Sequence, residues 1–294
     1  MKIVNFGSLN IDHAYRVERI ARDGETIAST GYTCNVGGKG LNQSIALARA
    51  GAHVIHAGRI GRDGAMLRRC LQREGVDVSL LEEDDGSSGH AIIQVDCRGE
   101  NAIIVEGGAN ARIDTDQVER VLEAVDPSDW LLLQNEINGI PGIMDAAVRR
   151  GLRIALNPAP MDGAVRRRGT GGMDLLFVNA SEGAALTGCD APDDIIAALR
   201  HAAPATRIVL TMGSQGAVYA DGMVRIQQAA DPVQAVDTTA AGDTFIGFFL
   251  AAQLRSMDVA TALQLAGRAA ALCVTRHGAA DAIPVLAEVE GTDA

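Results

Sequence analysis

Residues 237–245 are Asp-Thr-Thr-Ala-Ala-Gly-Asp-Thr-Phe, and they open the apolar run Ile246 to Leu254. We interpret this stretch as a strand-to-helix turn whose first helical turn is nearly free of side chains. The unpaired N–H groups of such a turn converge on one spot and carry the positive end of the helix dipole. The sequence therefore predicts an anion site, where Ala240, Ala241 and Gly242 let a phosphoryl group approach the backbone.

Asp243 is the acid that stands beside this predicted anion site. A carboxylate in this place suits general-base work on a hydroxyl group that will attack phosphorus. The alternative is that Asp237 or Asp243 is only a favourable partner of the helix dipole. The stretch alone does not decide between these interpretations, so the rest of the chain has to.

The composition argues against several classes of protein. The chain has 294 residues and a formal net charge of −11, so it lacks the basic balance of a nucleic-acid-binding protein. No uninterrupted apolar stretch reaches the roughly 20 residues that a membrane span needs. Its five cysteines are odd in number and include no C-x-x-C pair, which predicts reduced thiols. We therefore expect a cytoplasmic protein with no nucleic-acid or membrane partner.

Strand and helix patterns alternate along most of the chain. Strands are predicted at 3–7, 53–57, 130–134, 153–157, 175–178 and 207–211, with a further pairing segment near 216–226. Helices are predicted at 44–50, 63–74, 116–125, 141–150, 193–203 and 258–274, and the loop 161–173 is expected to be a solvated connection. This alternation predicts one α/β domain over 1–294 with a mostly parallel sheet that is covered on both faces.

Two regions do not fit the alternation. Residues 26–36, 91–95 and 102–105 are rich in strand-forming residues, and Arg98-Gly99-Glu100 has the composition of a hairpin loop. We expect these segments, within about 10–36 and 89–108, to form a small separate sheet that serves as a lid.

Polar side chains follow several of the predicted strands. Ser8, Asn10 and Asp12 follow the first strand, where open α/β sheets deliver ligand-binding groups, and Asn with Asp suits vicinal hydroxyls. Glu136 follows the strand 130–134, and Asn179 with Glu182 follows 175–178. The alternatives are an ordinary polar turn after the first strand and helix capping by Asn179 and Ser181.

The segment Gly37-Gly38-Lys39-Gly40 precedes a helix but fits no common nucleotide motif. A Walker P-loop needs glycine where Thr33 stands and Ser or Thr where Gly40 stands, and the dinucleotide fingerprint fails because Gln43 replaces its last glycine. Paired glycines here favour a hinge and a close backbone approach to a ligand. Lys39 is one of only two lysines in the chain.

The motifs together resemble the ribokinase family of carbohydrate kinases, of the phosphofructokinase-B type. The resemblance runs from about residue 3 to 284 and rests on Gly7-Ser8-x-Asn10-x-Asp12, Gly37-Gly38-Lys39-Gly40-x-Asn42-Gln43, Asn157-Pro158-Ala159-Pro160, Asn179-x-x-Glu182 and residues 237–245. It implies a three-layer α/β/α domain with a small β-sheet lid. Because an exposed small sheet has edges and an apolar face to cover, we also expect a homodimer that forms through the lid.

The resemblance also implies roles for individual residues. The sugar would be held by Asn10, Asp12, Gly38, Lys39, Asn42 and Glu136, and ATP by Asn179, Thr211, Gly213, Ser214, Gly216 and Gly242. Asp243 would be the base, the Ala241–Asp243 amides would stabilise the phosphoryl group, and Glu182 would place Mg²⁺ through water. A monovalent cation, K⁺ in this family, would lie at Asp237, Thr239, Cys273, Arg276 and Gly278, mainly against backbone carbonyls.

Three positions depart from the family pattern. Gly267 stands where a side chain often helps to hold adenine, and Ala282 stands at a cation-site position that often carries a hydroxyl. Glu106 precedes Gly107-Gly108-Ala109-Asn110, a lid-edge segment that bears on sugar choice. These departures concern nucleotide preference, cation dependence and sugar choice, and leave the residues that the resemblance assigns to catalysis unchanged.

The resulting hypothesis is an ATP-dependent kinase that phosphorylates the primary hydroxyl of a pentose, with D-ribose as the first candidate. One alternative is a kinase of the same family for fructose, deoxyribose or a nucleoside. A different alternative is a catalytically silent sugar-binding regulator, against which the intact Asp243, Gly242 and Glu182 argue. The missing dinucleotide fingerprint argues against a nicotinamide dehydrogenase.

Overall fold

Short apolar runs form many of the strands of this protein, whose computed structural model describes residues 1–169 and 171–291. The predicted domain 1–294 and loop 161–173 thus include positions outside the described residues, namely 170 and 292–294. The strands are β1 (Ile3–Phe6), β2 (Asn10–Arg16), β3 (Gly31–Gly37), β4 (Val54–Ile60), β5 (Asp77–Glu83), β6 (Gly89–Val95), β7 (Asn101–Glu106), β8 (Trp130–Gln134), β9 (Arg153–Asn157), β10 (Leu175–Asn179), β11 (Arg207–Thr211), β12 (Ala217–Asp221) and β13 (Val224–Gln228).

Helices connect most of the strands of the large sheet. They are α1 (Lys39–Arg49), α2 (Ala65–Arg73), α3 (Thr115–Glu123), α4 (Ile140–Arg149), α5 (Gly163–Arg168), α6 (Ala180–Thr187), α7 (Pro192–Ala202), α8 (Ala241–Leu254), α9 (Val259–Val274) and α10 (Leu286–Glu290). None of the helices in the described part of the chain is long and apolar enough to cross a membrane.

The large sheet has nine strands in the order β13-β12-β11-β10-β9-β8-β1-β4-β5. The seven strands from β11 to β5 pair in parallel, and β12 and β13 add an antiparallel edge. Alternate residues of each strand point to opposite faces: Ile3 and Leu132 pack in the core that holds α1, α2, α8 and α9, whereas Val4 and Leu133 pack against α3, α4 and α7. The predicted three-layer α/β/α fold is confirmed.

The two regions that broke the alternation form a separate sheet of four strands in the order β3-β2-β6-β7. β2 pairs antiparallel with β3 and parallel with β6, and β6 pairs antiparallel with β7. The predicted small sheet is therefore confirmed. Asn10 and Asp12 belong to this sheet rather than to a turn that follows β1, so they sit on its inner strand.

Three local predictions were wrong. Helix α1 begins at Lys39 rather than at Ser44, and strand β5 was missed because its sequence, Asp-Val-Ser-Leu-Leu-Glu-Glu, carries three acids at the edge of the sheet. Residues 163–168 form α5 rather than a solvated connection. Asp162 caps this helix by accepting from the amides of Ala164 and Val165, and Val165 is buried in the core.

The stretch 237–245 does open a helix, but no strand leads into it. Residues 229–240 contain no strand, and the amide of Val236 instead donates to the carbonyl of Val274 at the end of α9. Ala240 adopts a left-handed conformation with φ of 60°, and α8 begins at the next residue. The sharp entry to the helix therefore comes from a loop that is held by α9.

Candidate active site

The first turn of α8 presents free backbone amides, as the sequence predicts. Among the described residues, the amides of Gly242 and Asp243 have no protein acceptor. The amide of Ala241, which was expected to join them, donates to the carbonyl of Thr238 at 3.3 Å. Two amides rather than three are therefore free at the positive end of this helix.

Open space lies in front of these amides. A Cβ atom built on Gly242 would meet no atom within 4 Å. The space continues into a cleft of about 190 Å³ whose lining includes Lys39, Asn157, Asn179, Glu182, Thr211, Thr238, Gly242 and Asp243. The cleft thus brings together residues that were predicted to contact the sugar, ATP and Mg²⁺.

Asp243 is only 5% exposed, and its carboxylate is held by side chains of α1. Nε2 of Gln43 donates to Oδ1 at 2.8 Å, and Nδ2 of Asn42 donates to Oδ2 at 3.2 Å. The side-chain oxygen of Asn42, Oδ1, is buried and has no hydrogen-bond partner among the described residues. Two side chains of α1, about 200 residues earlier in the chain, therefore hold the Asp243 carboxylate in place.

Lys39, the first residue of α1, faces the acids of the cleft. The charge of Asp243 raises the pKa of the Lys39 ammonium above its ordinary value, against the opposing effect of burial, and Glu136 and Glu182 act in the same direction. Lys39 is thus kept protonated in a site with three carboxylates. An ammonium in such a place can neutralise a phosphate group that enters the cleft.

The glycines around Lys39 are required by the packing of the protein itself. Gly38 has φ of 94°, in the left-handed region, and a Cβ atom on Gly40 would lie 2.3 Å from the amide nitrogen of Ser8. The predicted close approach to the backbone of this segment is present. At Gly40, however, the group that approaches is the chain after β1 rather than a ligand.

Glu136 follows β8 and is tied to the same corner. Its Oε2 accepts from the hydroxyl of Ser8 at 2.5 Å and from the amide of Lys39 at 2.8 Å. Burial raises the pKa of the Glu136 carboxyl, although both hydrogen bonds and the charge of Lys39 lower it. A half-buried carboxylate with one constrained oxygen is well placed to accept from a sugar hydroxyl.

Asn10 and Asp12 lie on β2 beside this corner. Burial, with the charge of Glu136 as a second cause, raises the pKa of Asp12 to about 6. A Cβ atom on Gly37 would lie 2.0 Å from Oδ2 of Asp12, so the carboxylate requires a glycine on the neighbouring strand β3. Oδ1 of Asn10 accepts from Nδ2 of Asn110 at 2.8 Å.

Asn110 was not among the predicted site residues. It is 2% exposed, and besides Asn10 its side chain accepts from the amide of Leu9 and donates to the carbonyl of Leu9, both at 3.1 Å. The only sequence signal was its place after the paired glycines 107 and 108, which follow the last strand of the small sheet. Gln43 was also quoted in a motif without a role, although it contacts Asp243 directly.

On the opposite side of the cleft, Asn179 and Glu182 form a capping box at the start of α6. Oδ1 of Asn179 accepts from the amide of Glu182, and Oε2 of Glu182 accepts from the amide of Asn179. The helix-capping alternative is therefore correct for Asn179, whereas Ser181 lies inside the helix. Asn179 and Glu182 also line the cleft, so their capping hydrogen bonds do not exclude contacts with a ligand.

The loop after β11 contributes unevenly to the cleft. Thr211 lines it, whereas Gly213 and Ser214 belong to a 3-10 turn and are not among the lining residues. Gly216 has φ of 92°, and a Cβ atom there would lie 2.0 Å from the carbonyl of Gln228. Gly216 is therefore required by the pairing of β12 with β13, whatever its contact with a nucleotide.

The residues predicted to surround a monovalent cation come together beside the start of α8. Asp237 accepts from the amide of Thr239 at 2.9 Å and from the amide of Gly278 at 3.0 Å, and Sγ of Cys273 donates to the carbonyl of Thr239 at 3.7 Å. The side chain of Arg276 points elsewhere and pairs with Glu288 at 2.8 Å.

The likeness to known proteins agrees with this geometry. The model of the pfkB family carbohydrate kinases matches residues 1–286. The chain belongs to this family. The predicted carbohydrate kinase is thereby confirmed.

The chain is similar over almost its whole length to known sugar kinases. A ribokinase of Haemophilus influenzae is 34% identical over 96% of this chain and 95% of its own length, and a deoxyribokinase of Salmonella typhi is 30% identical over 97% and 96%. The structure of Arabidopsis thaliana ribokinase in complex with ribose and ATP superposes with a TM-score of 0.85 at 29% identity, over 99% of this chain and 97% of that one.

Proposed function

We propose that the protein is an ATP-dependent ribokinase that transfers the γ-phosphoryl group of ATP to the primary hydroxyl of D-ribose, giving ribose 5-phosphate and ADP. The observation that carries the proposal is the start of α8. There the Asp243 carboxylate, the free amides of Gly242 and Asp243, and the ammonium of Lys39 border one cleft. The Haemophilus and Arabidopsis ribokinases support the choice of sugar.

The sugar binds, in this proposal, at the corner between the small sheet and α1. Asp12 and Glu136 accept from ribose hydroxyls, and Asn10 and Lys39 supply further polar contacts beside Gly38. Asn42 holds a buried oxygen without a partner among the described residues, which a sugar hydroxyl can satisfy. The primary hydroxyl is then directed toward Asp243 and the amides at the start of α8.

ATP binds across the other side of the same cleft. Thr211 and Asn179 line it, and Gly242 leaves room for the γ-phosphoryl group beside the helix N-terminus. The backbone of the turn that contains Gly213, Ser214 and Gly216 provides the remaining nucleotide contacts. Gly267 carries no side chain that could help to hold the adenine.

The chemistry follows from these positions. Asp243 takes the proton of the primary hydroxyl as that oxygen attacks the γ-phosphorus in line, and ADP leaves. The O–H bond and the bond from the γ-phosphorus to the bridging oxygen break, while a new P–O bond forms. The amides of Gly242 and Asp243, with Lys39, stabilise the negative charge on the transferring group.

The donor set of the cleft fits Mg²⁺ bound through water and phosphate. No three His, Cys, Asp or Glu side chains cluster as a metal site within the described residues. Glu182 is a single carboxylate whose oxygens already accept from Asn179, which suits contact through water rather than direct ligation. When bound, Mg²⁺ neutralises charge on the ATP phosphates.

Three further features belong to the proposal. Asp237, Thr239, Cys273, Arg276 and Gly278 form a potassium site in which backbone carbonyls are the main ligands, beside the amides of α8. The small sheet acts as the lid of a single domain and joins two copies into a homodimer. Five free cysteines support a cytoplasmic location, where ATP is available.

The nearest alternatives share the mechanism and differ in the sugar. The Salmonella deoxyribokinase, at 30% identity, favours deoxyribose as the second candidate. Fructose and nucleosides are further candidate substrates for the same mechanism. A catalytically silent regulator, in contrast, would bind the sugar without forming ADP.

The proposal is tested by measuring ADP release from ATP and Mg²⁺ with ribose, deoxyribose, fructose and several nucleosides. We expect the highest kcat/KM with ribose and a loss of about 10²–10⁴-fold in kcat for Asp243→Ala, because a general base is removed. Near-normal turnover by a folded Asp243→Ala would refute the catalytic assignment. Preference for another sugar would refute ribose alone, and ribose binding without any ADP would favour the regulator.

A further inference from the structure

Gln43 lies on α1, is completely buried and makes the shortest polar contact to Asp243. Its Nε2 donates to Oδ1 of Asp243 at 2.8 Å and approaches Oδ1 of Asn157 at 3.4 Å. Its Oε1 accepts from Nε2 of Gln134 at 2.6 Å. Gln43 thus joins the proposed base to the end of β8 by a side-chain amide whose two ends both have partners.

The orientation of the Gln43 amide follows from its neighbours. Nε2 of Gln134 also donates to Oδ1 of Asn5 at 2.9 Å, while Nδ2 of Asn5 donates to the hydroxyl of Ser44 at 2.8 Å. Gln134 therefore presents N–H groups to both of its partners. A rotated Gln43 would place NH₂ against the NH₂ of Gln134 and its oxygen against the Asp243 carboxylate, and both contacts would be repulsive.

The far end of this chain of contacts is also fixed. The hydroxyl of Ser44 lies 2.8 Å from Nδ1 of His56, and burial lowers the pKa of His56 to about 3. A neutral ring can accept the Ser44 proton at Nδ1, which leaves the Ser44 oxygen to accept from Asn5. The network crosses α1, β1, β4 and β8, the rigid centre of the fold, before it reaches Asp243.

We propose that Gln43 is a positioning residue, which holds the Asp243 carboxylate in the orientation that lets it take the proton of the sugar hydroxyl. The inference rests on the proposed function of Asp243. Oδ1 is fixed by the 2.8 Å hydrogen bond from Gln43, whereas Oδ2 has only the 3.2 Å contact with Asn42. Gln43 acts through Asp243 and does not line the cleft itself.

Gln43→Met keeps the length of the side chain and removes its donor. We expect kcat to fall about 10- to 100-fold, the size of effect that a misplaced reacting group produces. The dissociation constant of ribose, measured by calorimetry without nucleotide, should change by no more than about twofold, because Gln43 does not face the sugar. A purely structural role would not separate kcat from binding in this way.

The matched control is Gln117→Met on α3. Gln117 is also completely buried, and its Nε2 donates to the carbonyl of Gly58 at 2.7 Å, away from the cleft. Gln117→Met should lower the melting temperature by about as much as Gln43→Met does and should leave kcat unchanged. Should Gln43→Met not fold, Gln43→Asn replaces it, since a shorter amide remains polar but withdraws the donor from Asp243.

A double-mutant cycle decides whether Gln43 acts through the base. In the Asp243→Ala background, the Gln43 substitution should change the residual kcat by no more than about twofold, because no carboxylate remains to be positioned. An equal loss in both backgrounds, or normal kcat in a folded Gln43 variant, overturns the inference. Near-normal turnover by Asp243→Ala alone would instead overturn the proposed function, so the two failures are distinguishable.

Discussion

The backbone amide of Lys39 donates to Oε2 of Glu136 at 2.8 Å, and the two residues are 97 positions apart in the chain. The same oxygen accepts from the hydroxyl of Ser8 at 2.5 Å. One carboxylate oxygen thus joins the first residue of α1, the segment after β1 and the end of β8. The other oxygen of Glu136 has no protein donor in the described part of the chain and is available to a sugar hydroxyl.

Gly242→Ala should separate folding from catalysis. A methyl group there would meet no protein atom within 4 Å, so the melting temperature should be unchanged or slightly raised. The same methyl would occupy the space in front of the two free amides, and kcat should fall by up to about 10²-fold, as after loss of one oxyanion donor. Steady-state ADP release and thermal unfolding check this.

The matched control is Gly142→Ala, early in α4, where a Cβ atom also meets nothing within 4 Å. It should leave kcat unchanged. Full activity of a folded Gly242→Ala would contradict a phosphoryl site at this turn.

Asp12→Asn should stabilise the protein at neutral pH. The pKa of Asp12 is raised from 3.8 to about 6 in the folded protein, so the folded state binds more protons and loses stability as pH rises through this window. Asn mimics the protonated carboxyl. The free energy of unfolding should therefore increase by about 1–3 kcal/mol above pH 6, a shift of about two pKa units. The gain should vanish near pH 4, and urea unfolding at several pH values measures it.

Glu136→Gln supplies the control for this pH dependence. Its charge is the second cause of the raised pKa of Asp12, after burial. In the Glu136→Gln background, the gain from Asp12→Asn should be smaller and should level off at a lower pH, because the folded pKa of Asp12 falls while its unfolded pKa does not change. The assignment would be contradicted by a stability difference between Asp12 and Asn that does not depend on pH.

Potassium should raise kcat above the value in sodium, and Asp237→Ala should abolish that difference. Hydrogen bonds from Thr239 and Gly278 outweigh burial and lower the pKa of Asp237, so an ionised carboxylate holds both backbone segments of the proposed cation site. The control is Asp281→Ala, an exposed acid in the next 3-10 turn. Potassium activation that survives Asp237→Ala would place the cation elsewhere.

Ile104→Lys should convert a dimer into a monomer. Ile104 is 66% exposed and pairs across the small sheet with Ile92, which is 40% exposed, so the two form an apolar face that a second lid can cover. Met223→Lys is the control, because Met223 is fully exposed in the hairpin between β12 and β13. Sedimentation velocity should show monomers for Ile104→Lys only. Identical sedimentation of wild type and Ile104→Lys would reject this interface.

Features that depend on local pattern could be predicted from the amino-acid sequence. Buried runs such as Trp130-Leu131-Leu132-Leu133 predict parallel strands because both faces of the sheet are covered. The small residues 240–242 predict a helix start with free amides because nothing in their side chains can cover them. The strands of the small sheet were recognised because their composition breaks the strand–helix alternation.

Contacts between residues that are distant in the chain could not be predicted before the fold was known. β5 was missed because an edge strand tolerates acids, and α5 was missed because its cap and the burial of Val165 depend on packing against the core. Gln43 reaches Asp243, and Asn110 reaches Asn10, across 200 and 100 residues respectively. Such contacts, and the pKa shifts that burial causes, arise when the sheet brings distant segments to one corner, so no local periodicity encodes them.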